Sequence, residues 1–337
     1  MTTRTLLIGG TRNLGPAIVA ELRDAGHALT VLTRGRTPDV LPADVERLHA
    51  DRGAAAQLAA ALAGRDFDAV VDTTLYTGAE ARAAAALLDG RVGHYLWIST
   101  GQVYLVREGL ARPFREEDYA GPVMAEPPRE GPDWDDWTYG AEKRAAEDVF
   151  AEAWAARGFP ATSLRLPMVN SERDHYDRLL NYLVRLDDGG PIVAPDQPRF
   201  ALRHVYGGDV ARAIRSLLAR GLGRGDAINL SQDETLSLED FLARLGVAAE
   251  RPVALVRAPR ARMDAAGLLP AASPFSGRWM SELDNRRSRE VYGLAYTPLR
   301  DYLARLVAWH RAHPRVPAGY ARRAAELALA REVDAER

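Results

Sequence analysis

Short apolar runs alternate with helical patterns over the first 100 residues of the chain. The run at 6–8 predicts a buried strand, and a glycine-rich turn follows it directly. A helix is then predicted over 16–25, with Ile18, Val19 and Leu22 on one face. Further strands are predicted at 29–32, 45–50, 69–72 and 95–99, and helices at 54–62 and 79–88. Strands that alternate with helices in this way indicate a parallel sheet covered on both faces, the Rossmann-type doubly wound α/β fold.

The second part of the chain has a less regular pattern. Residues 105–137 are rich in Pro, Asp, Glu and Trp and have no clear period, which indicates a long loop at an active site or at the surface. Strands are predicted after it at 161–169 and 227–230, and helices at 137–156, 179–186, 238–245, 299–310 and from about 210 to 218. Ser237 and Pro298 stand where helix-starting residues are expected.

This order of elements predicts two regions. Residues 1–169 form mainly the dinucleotide-binding Rossmann domain, to which 203–230 return. Residues 170–202 and 231–315 form a smaller C-terminal substrate-binding α/β region. Residues 316–337, rich in Ala, Arg and Glu, predict a solvated C-terminal helix, with a partner-binding helix as the less favoured alternative.

Composition excludes several classes of function. The apolar share of 47% and the charged share of 27% are ordinary for a soluble globular protein. A formal net charge of −2 gives no general attraction to nucleic acid or to an anionic membrane. The chain has no cysteine, which excludes disulfides, thiolate metal ligands and cysteine nucleophiles, and we predict no metal site. The absence of a long apolar run and of room for a signal peptide leads us to expect a cytoplasmic protein.

The turn after the first strand predicts a nucleotide site. It consists of Gly9, Gly10, Thr11, Arg12, Asn13, Leu14 and Gly15. A strand, a glycine turn and a helix start aim backbone N–H groups at a pyrophosphate. Gly9 and Gly15 occupy the outer positions of a G-x-x-G-x-x-G spacing, but Arg12 replaces the middle glycine. Taken alone, the stretch is also compatible with an ordinary glycine turn.

Two further segments carry candidate chemistry. Tyr139 and Lys143 are four residues apart on a helix, so they share one face. A nearby ammonium favours the phenolate and lowers the tyrosine pKa, which suits proton transfer. Ser99 and Thr100 end the fifth strand, where a hydroxyl can bind a reacting oxygen. Each pattern alone also fits an incidental surface pair or a strand-end turn.

The ordered set of segments resembles the extended short-chain dehydrogenases/reductases of the NAD(P)-dependent epimerase/dehydratase type. The resemblance covers roughly residues 4–310. It is carried by the glycine turn, Asp51-Arg52, Ser99 to Tyr104, Tyr139 with Lys143, Arg165-Leu166-Pro167, and His204 to Ile214. It implies hydride transfer between a substrate and a nicotinamide, coupled to proton transfer, and it also implies a homodimer formed through the helix that bears Tyr139 and the neighbouring helix.

The resemblance assigns a role to individual residues. Tyr139 corresponds to the acid/base, and Lys143 to the residue that lowers its pKa and holds the nicotinamide ribose. Thr100 takes the catalytic Ser/Thr position, with Ser99 as the near alternative and a cofactor neighbour. Asp51 and the adjoining Arg52 are expected beside the adenine. Pro167 is expected near the nicotinamide carboxamide.

Within the family, the Gly-Gly-Thr-Arg-x-Leu-Gly turn is similar to an atypical branch. That branch includes the chloroplast stem-loop RNA-binding proteins and many bacterial proteins labelled only as epimerase/dehydratase. An RNA-binding protein on the same fold is therefore a rival hypothesis. The complete set of Thr100, Tyr139 and Lys143, and the lack of a basic stripe with interleaved aromatics, favour a small-molecule substrate over nucleic acid.

The motifs narrow the reaction but leave two types open. Sugar 4,6-dehydratases have Asp-Glu after the catalytic Thr, whereas this chain has Gly101-Gln102, so dehydration is disfavoured. A reductase and a sugar-nucleotide epimerase both remain, because they differ in whether the cofactor leaves between turnovers. Candidate substrate residues are Trp137, Arg173, Tyr176 and Arg203. Phe200 stands where related sugar-nucleotide enzymes have a diphosphate-binding arginine, and Arg199 is one residue away.

The end of the second strand bears on the choice of cofactor. NAD-binding turns have an acid there, about 20 residues past the glycines, that binds the ribose 2′-OH. Here Thr33 is followed by Arg34 and Arg36, and no carboxylate occurs before Asp39. An arginine can bind a 2′-phosphate through two hydrogen bonds, and Arg12 in the turn can approach the same group. The sequence therefore predicts NADP(H) in preference to NAD(H).

Overall fold

The protein is described from a computed structural model, and its structure is given for residues 2–36 and 38–336. The strands are β1 (Arg4–Ile8), β2 (Ala28–Thr33), β3 (Glu46–His49), β4 (Ala69–Asp72), β5 (Tyr95–Thr100), β6 (Ala161–Leu166), β7 (Val169–Asn170), β8 (Ile192–Pro195), β9 (Val205–Tyr206), β10 (Ala227–Asn229) and β11 (Leu255–Ala258). The helices are α1 (Gly15–Asp24), α2 (Ala55–Ala61), α3 (Gly78–Leu87), α4 (Gln102–Leu105), α5 (Trp134–Arg157), α6 (Arg178–Asp187), α7 (Gly207–Arg220), α8 (Leu238–Ala249), α9 (Arg260–Ala265), α10 (Arg286–Glu290), α11 (Leu299–Ala312) and α12 (Arg323–Ala335). Two 3-10 segments span Glu116–Tyr119 and Ala318–Arg322.

Seven parallel strands form the main sheet. Their order is β10-β6-β5-β4-β1-β2-β3, and every pair is parallel. The chain runs outward from β1 to β3 and then returns to β4 on the other side of β1. The carboxyl ends of β1 and β4 therefore border a crevice at a topological switch point, which is where this class of sheet binds ligands. The predicted doubly wound fold is confirmed.

Apolar layers on the two faces of the sheet hold it in place. On one face Leu7 and Val31 of the sheet pack with α1 and α7, through Ile18 and Ile214 among others. On the other face Trp97 and its neighbours pack with α2, α3 and α5. Strands covered on both faces are apolar along their whole length, and β4 is accordingly buried at all four residues.

The regular part of the chain matches its predicted elements, and the misses are in short or irregular segments. The helix at α5 begins at Trp134, three residues before the predicted start, because the helix continues back into the Asp- and Trp-rich stretch. The strand predicted over 161–169 ends at Leu166, and Pro167 separates it from β7. The elements β8, β11, α4, α9 and α10 were not predicted.

The C-terminal part of the chain has a second apolar core. Helices α6, α8 and α11 contribute Leu183, Phe241, Leu245 and Leu303 to it. Strands β8 and β11 form a separate parallel pair beside it, while β10 belongs to the main sheet. This arrangement agrees with a smaller C-terminal α/β region, and the domain boundaries at 169, 203 and 230 stay a prediction.

The C-terminal helix is docked rather than solvated. Leu329 and Val333 of α12 are buried in a cluster with β8 and β11, so the apolar side of this helix packs against other parts of the same chain. A buried ion pair fixes its start, because Arg185 of α6 binds Glu326 with Nε–Oε2 at 2.8 Å, and both side chains are 1% exposed or less. No helix within residues 2–36 and 38–336 combines the length and the apolar character needed to span a membrane.

We predict that Glu326→Gln lowers the free energy of unfolding by about 3–5 kcal/mol, because it leaves the buried guanidinium of Arg185 without a counter-charge. The control is Glu332→Gln on the same helix, where the carboxylate is 60% exposed against Arg262. That change should cost less than about 1 kcal/mol. Urea denaturation of both variants measures the difference, and equal costs would contradict the assignment.

Candidate active site

The glycine turn brings α1 unusually close to β1. Gly9 and Gly10 have φ angles of 94° and 100°, which other residues rarely adopt. A Cβ on Gly15 would lie 2.2 Å from the Cα of Gly10. Only glycine allows this approach, so the N-terminus of α1 is directed at the space above the turn. The outer positions of the predicted spacing thus have the close contacts that the motif requires.

The middle of the turn is occupied by residues that meet the C-terminal region. Asn13 has a φ of 48°, and its backbone N–H donates to the carbonyl of Arg173 at 3.2 Å. Ser171 donates its hydroxyl to Asn13 Oδ1 at 2.5 Å. The guanidinium of Arg12 contributes to lowering the pKa of His175, although burial of the imidazole is the larger cause. The segment from 171 to 175 therefore lies against the turn.

Thr100 and Tyr139 meet at the carboxyl end of β5. The Thr100 hydroxyl lies close enough to the Tyr139 phenol to lower its pKa, although burial raises that pKa overall, and Thr100 Oγ1 accepts from the N–H of Gln102 at 3.2 Å. Gly140 makes the approach possible, because a Cβ there would lie 2.7 Å from Val106 and 2.8 Å from the carbonyl of Gln102. The glycine beside Tyr139 thus allows α5 to pack directly on α4.

Lys143 extends from α5 to the end of the sheet. Its ammonium donates to the carbonyls of Leu75 at 2.5 Å and Ile98 at 2.8 Å. The side chain is 2% exposed. Burial lowers the pKa of Lys143 to about 7, against the opposing effect of Asp72 and other carboxylates. Nζ lies 5.6 Å from the centre of the Tyr139 ring, so the predicted set of three side chains is assembled.

The pKa of Tyr139 departs from the expected direction. Burial raises it above its usual value, with a further contribution from Tyr76, while the Thr100 hydrogen bond lowers it. Burial outweighs any lowering of this pKa by Lys143, and the role assigned to Lys143 stays a prediction. Burial penalises the phenolate, and the same burial weakens the charge of the neighbouring ammonium. Tyr139 is therefore protonated at neutral pH.

Ser99 lies behind the site and not in it. Its hydroxyl donates to Glu147 Oε1 at 2.5 Å, and Glu147 forms a buried ion pair with Arg165 at 2.5 Å. Successive strand residues point to opposite faces, so Thr100 rather than Ser99 reaches Tyr139. Pro167 follows β6 at the same edge, where the preceding Leu166 carbonyl accepts from the N–H of Gly101 at 2.7 Å.

Asp51 and Arg52 have different surroundings. Asp51 accepts from the N–H of Gly53 at 3.1 Å and is half-buried at the loop after β3. Arg52 is 6% exposed and donates to Asp72 from Nε at 3.0 Å. Asp72 also accepts from Tyr95 at 2.8 Å. The side chain of Arg52 thus belongs to a buried network, and any contact with an adenine would have to use its backbone.

The end of β2 is open and basic. Thr33 accepts from the N–H of Gly35 at 3.2 Å, and Arg34 and Arg36 are exposed. The first carboxylate after them, Asp39, is bound by Arg47 through two hydrogen bonds of 2.8 and 3.0 Å. Asp39 is therefore already paired.

The substrate candidates divide into two groups. Tyr176 is 61% exposed and contributes to raising the pKa of both Tyr76 and Tyr139, which places it near the phenol. Arg173 is exposed beside the glycine turn, and Trp137 stacks on Trp134 at 5.9 Å in the first turn of α5. The fourth candidate, Arg203, is held elsewhere.

Arginine side chains near His204 are tied into the fold. Arg203 donates to the carbonyl of Gln232 at 3.1 Å and to Asn285 Oδ1 at 3.2 Å, so it braces the C-terminal segments. Arg199 lies 3.6 Å from Glu239 at the surface. The structure gives neither side chain a position beside Tyr139, and their substrate role stays a prediction.

The residues after Thr100 leave no room for the dehydratase pair. A Cβ on Gly101 would lie 2.1 Å from Ser281 Oγ, so an aspartate there would collide with the C-terminal region. Gln102 donates to Asp136 Oδ1 at 2.8 Å. Burial raises the pKa of Asp136. The packing thus agrees with the prediction that dehydration is disfavoured.

A family model describes most of this region. The model of the NAD dependent epimerase/dehydratase family matches residues 5–231. The chain belongs to this family. A family relative, 2′-dehydrokanamycin reductase from Streptomyces kanamyceticus, is 27% identical over 262 residues, which are 77% of this chain and 70% of the relative. The resemblance to extended short-chain dehydrogenases/reductases is confirmed, and with it the general kind of enzyme, a nicotinamide-dependent oxidoreductase.

Solved structures of the family share the fold. A UDP-glucose 4-epimerase from Thermotoga maritima, solved with UDP-glucose, has a TM-score of 0.72 at 16% identity and covers 93% of this chain and 100% of its own. WbmH from Bordetella bronchiseptica, solved with NAD+, has a TM-score of 0.69 at 18% identity, with coverages of 93% and 100%. At these identities the likeness shows the fold and does not choose between NAD and NADP.

The structure fits a nicotinamide dinucleotide. The tight contact between Gly15 and Gly10 and the Cβ-free Gly9 form a cradle under the N-terminus of α1. Thr100, Tyr139 and Lys143 lie at the other side of the crevice. A bound cofactor would supply or accept the hydride, and these side chains would be placed to hold and move the proton.

The sequence analysis did not identify one residue of the site, Tyr76. Tyr76 follows β4 in the loop before α3, and its ring centre lies 4.7 Å from Lys143 Nζ and 6.2 Å from the Tyr139 ring. The signal that could have found it is position, because every loop at the carboxyl end of this sheet borders the crevice. Its partner Lys143 is far along the chain, so no local spacing pointed to the contact.

We predict that Gly15→Ala weakens binding of NADPH and NADH by on the order of tenfold or more, because the new methyl group forces α1 away from β1. Gly277→Ala is the control, since a Cβ there meets nothing within 4 Å. Fluorescence titration of both variants measures the affinities. Wild-type affinity in Gly15→Ala would contradict the assigned cradle.

Proposed function

We propose that the protein is an NADP(H)-dependent reductase that converts a carbonyl of a small molecule to an alcohol. The observation that carries the proposal is the contact of Thr100 with Tyr139, with Lys143 one turn farther along α5. Thr100 orients the carbonyl oxygen by donating a hydrogen bond to it from the hydroxyl group. Tyr139 delivers its phenolic proton to the oxygen as negative charge develops there. Lys143 stabilises the phenolate that remains.

The protonation state of Tyr139 favours the reducing direction. A phenol whose pKa is raised by burial enters the reaction with its proton in place. That form can donate to an oxygen, whereas oxidation of an alcohol needs the phenolate to accept. The relative from Streptomyces kanamyceticus bears the name of a reductase, which supports the same direction.

Three arginines support NADP(H) as the cofactor. Arg34 and Arg36 follow Thr33 at the exposed end of β2, and Arg12 lies in the turn itself. The next carboxylate along the chain, Asp39, is bound to Arg47 and does not oppose a 2′-phosphate. A guanidinium binds phosphate through charge-assisted hydrogen bonds, which supplies the preference.

The substrate class follows from the relative's name and the exposed residues of the site. That name specifies a dehydrokanamycin as the molecule reduced, and we extend to this chain the reduction of a polar, ring-bearing ketone. Trp137, Arg173 and Tyr176 are the proposed contacts, with Arg203 as a more distant support. A sugar-nucleotide epimerase with a retained cofactor is the alternative, favoured only by the fold shared with UDP-glucose 4-epimerase.

We also propose a homodimer in the cytoplasm, formed through α3 and α5. These helices border a groove of about 260 Å³ that is lined by Ala85, Val149 and Ala153 and also by Arg82, Glu152 and Arg157. The resemblance to the family supplies the mode of association, and sedimentation analysis measures it.

We predict that Tyr139→Phe lowers kcat for reduction of a keto sugar or aminoglycoside ketone by about 10²–10⁴-fold, because the proton donor is lost. NADPH affinity should change little, since the ring and its packing remain. Steady-state kinetics and cofactor titration measure the two effects separately. Full turnover in this variant would refute the mechanism.

We predict that the double variant Arg12→Gly with Arg34→Ala reduces the NADPH/NADH affinity ratio by about tenfold or more, because two guanidinium groups beside the 2′-phosphate are removed. The control is Arg300→Ala, whose side chain is 88% exposed on α11. An unchanged ratio in the double variant would show that the cofactor preference has another origin.

The nucleotide that copurifies with the protein separates the remaining alternatives. For a reductase we expect an empty or exchangeable site that added NADPH fills. A tightly held oxidised cofactor, identified by its released mass, would favour the epimerase. Tight binding of structured RNA without nicotinamide binding would favour the RNA-binding rival.

A further inference from the structure

Lys143 is the only lysine among the 337 residues, and every other basic residue apart from histidine is an arginine. Arginine stays charged under all ordinary conditions, whereas a lysine changes its charge readily when buried. The one position that has lysine is also 2% exposed. The site therefore holds a compact ammonium whose charge depends on its surroundings.

The surroundings of this ammonium are mainly aromatic. Nζ lies 4.7 Å from the ring centre of Tyr76, 5.2 Å from that of Trp97 and 5.6 Å from that of Tyr139. The faces of aromatic rings attract cations within about 6 Å, most strongly where water is excluded. Two backbone carbonyls, of Leu75 and Ile98, accept hydrogen bonds from the same group.

Tyr76 is the outer wall of this cage. Trp97 is fully buried within the sheet, but Tyr76 is 50% exposed at the crevice. Its backbone is held on both sides: the Tyr76 N–H donates to Glu80 Oε2 at 2.7 Å, and the preceding Leu75 carbonyl accepts from Lys143. A capping box between Thr77 and Glu80 starts α3 at this point. The ring is therefore fixed by its own loop.

We infer that Tyr76 is a positioning residue for Lys143, whose ring holds the ammonium in its charged form beside Tyr139. Only the part of this inference that concerns turnover rests on the proposed function. The contact between the Tyr76 ring and the ammonium is present in the protein without substrate or cofactor. The phenol hydroxyl of Tyr76 is not needed for this role. The face of the ring supplies the attraction, and the ring also separates the ammonium from water.

Charged groups from several elements also act on Lys143. Asp72 of β4, Glu80 of α3 and Glu147 of α5 favour the ammonium, while Arg52 and burial oppose it. Tyr139, protonated, adds no charge. These carboxylates lie on other elements and stay in place when Tyr76 is replaced, except Glu80, which is held by the same loop. Substitutions of Tyr76 therefore have to leave that loop intact.

The single lysine allows a direct measurement. Protein labelled with ¹³Cε-lysine gives one lysine resonance, whose shift against pH reports the pKa of Lys143 without substrate or cofactor. In Tyr76→Phe we expect the wild-type pKa, because the ring remains. In Tyr76→Leu, which excludes water but has no ring, we expect the pKa to fall by about one unit. Tyr76→Met provides a second ringless variant if Tyr76→Leu does not fold.

A control and a kinetic measurement complete the test. Trp154→Leu, on α5 but packed against Gly225, should leave the Lys143 resonance unchanged. The loss of kcat on raising the pH, as Lys143 loses its proton, should begin about one unit lower in Tyr76→Leu than in Tyr76→Phe. Both shifts together support the positioning role.

Three results would overturn the inference. The first is a Lys143 pKa that is unchanged or higher in the ringless variants. The second is an equal fall in Tyr76→Phe, which would assign the effect to the hydroxyl. The third is a higher KM for NADPH with an unchanged lysine resonance, which would make Tyr76 a cofactor contact only. Failure of the reductase proposal would appear instead as turnover in Tyr139→Phe, and it would leave the titration result standing.

Discussion

Charge buried between the main sheet and the helices α3 and α5 is the constraint on which the site depends. Burying a charge is costly unless partners compensate for it. Arg52 is compensated by Asp72, and Arg165 by Glu147, each in a close ion pair. The ammonium of Lys143 lies in the same layer, where it donates to two backbone carbonyls and faces aromatic rings. Burial lowers its pKa to about 7, so its charge changes more readily than that of an arginine.

The two ion pairs also explain the precision of the site. Glu147 lies one helical turn after Lys143 and binds both Ser99 and Arg165, so it fixes α5 against β5 and β6. Thr100, the next residue of β5, is thereby held at the phenol of Tyr139. Packing glycines at 101 and 140 bring the neighbouring elements into contact. The geometry of the candidate site thus follows from a rigid layer beneath it, as precise sites generally require.

Local patterns in the sequence were sufficient for the sheet and for the motifs. The glycine turn, the helix with Tyr139 and Lys143, and the end of β5 each carry their signal within a few residues. Contacts between segments that are distant along the chain could not be predicted from the sequence. Strands β8 and β11 pair through Ile192 and Leu255, which are 63 residues apart along the chain. The hydrogen bonds of Arg203 likewise depend on a segment that is distant in sequence. The raised pKa of Tyr139 could not be predicted for the same reason, because burial is a property of the whole fold.

The contact between Asn13 and the 171–175 segment has a consequence for the order of events at the crevice. One N–H group cannot donate fully to the carbonyl of Arg173 and to a ligand oxygen at the same time. Any ligand that takes this donor must therefore displace the loop, and the loop in turn competes with that ligand. By thermodynamic linkage, a substrate that holds this loop in place lowers the affinity of the turn for such a ligand, and the ligand lowers the affinity for the substrate by the same factor. The irregular glycine motif is thus in direct contact with the 171–175 segment, and a ligand that uses the Asn13 N–H has to break that contact.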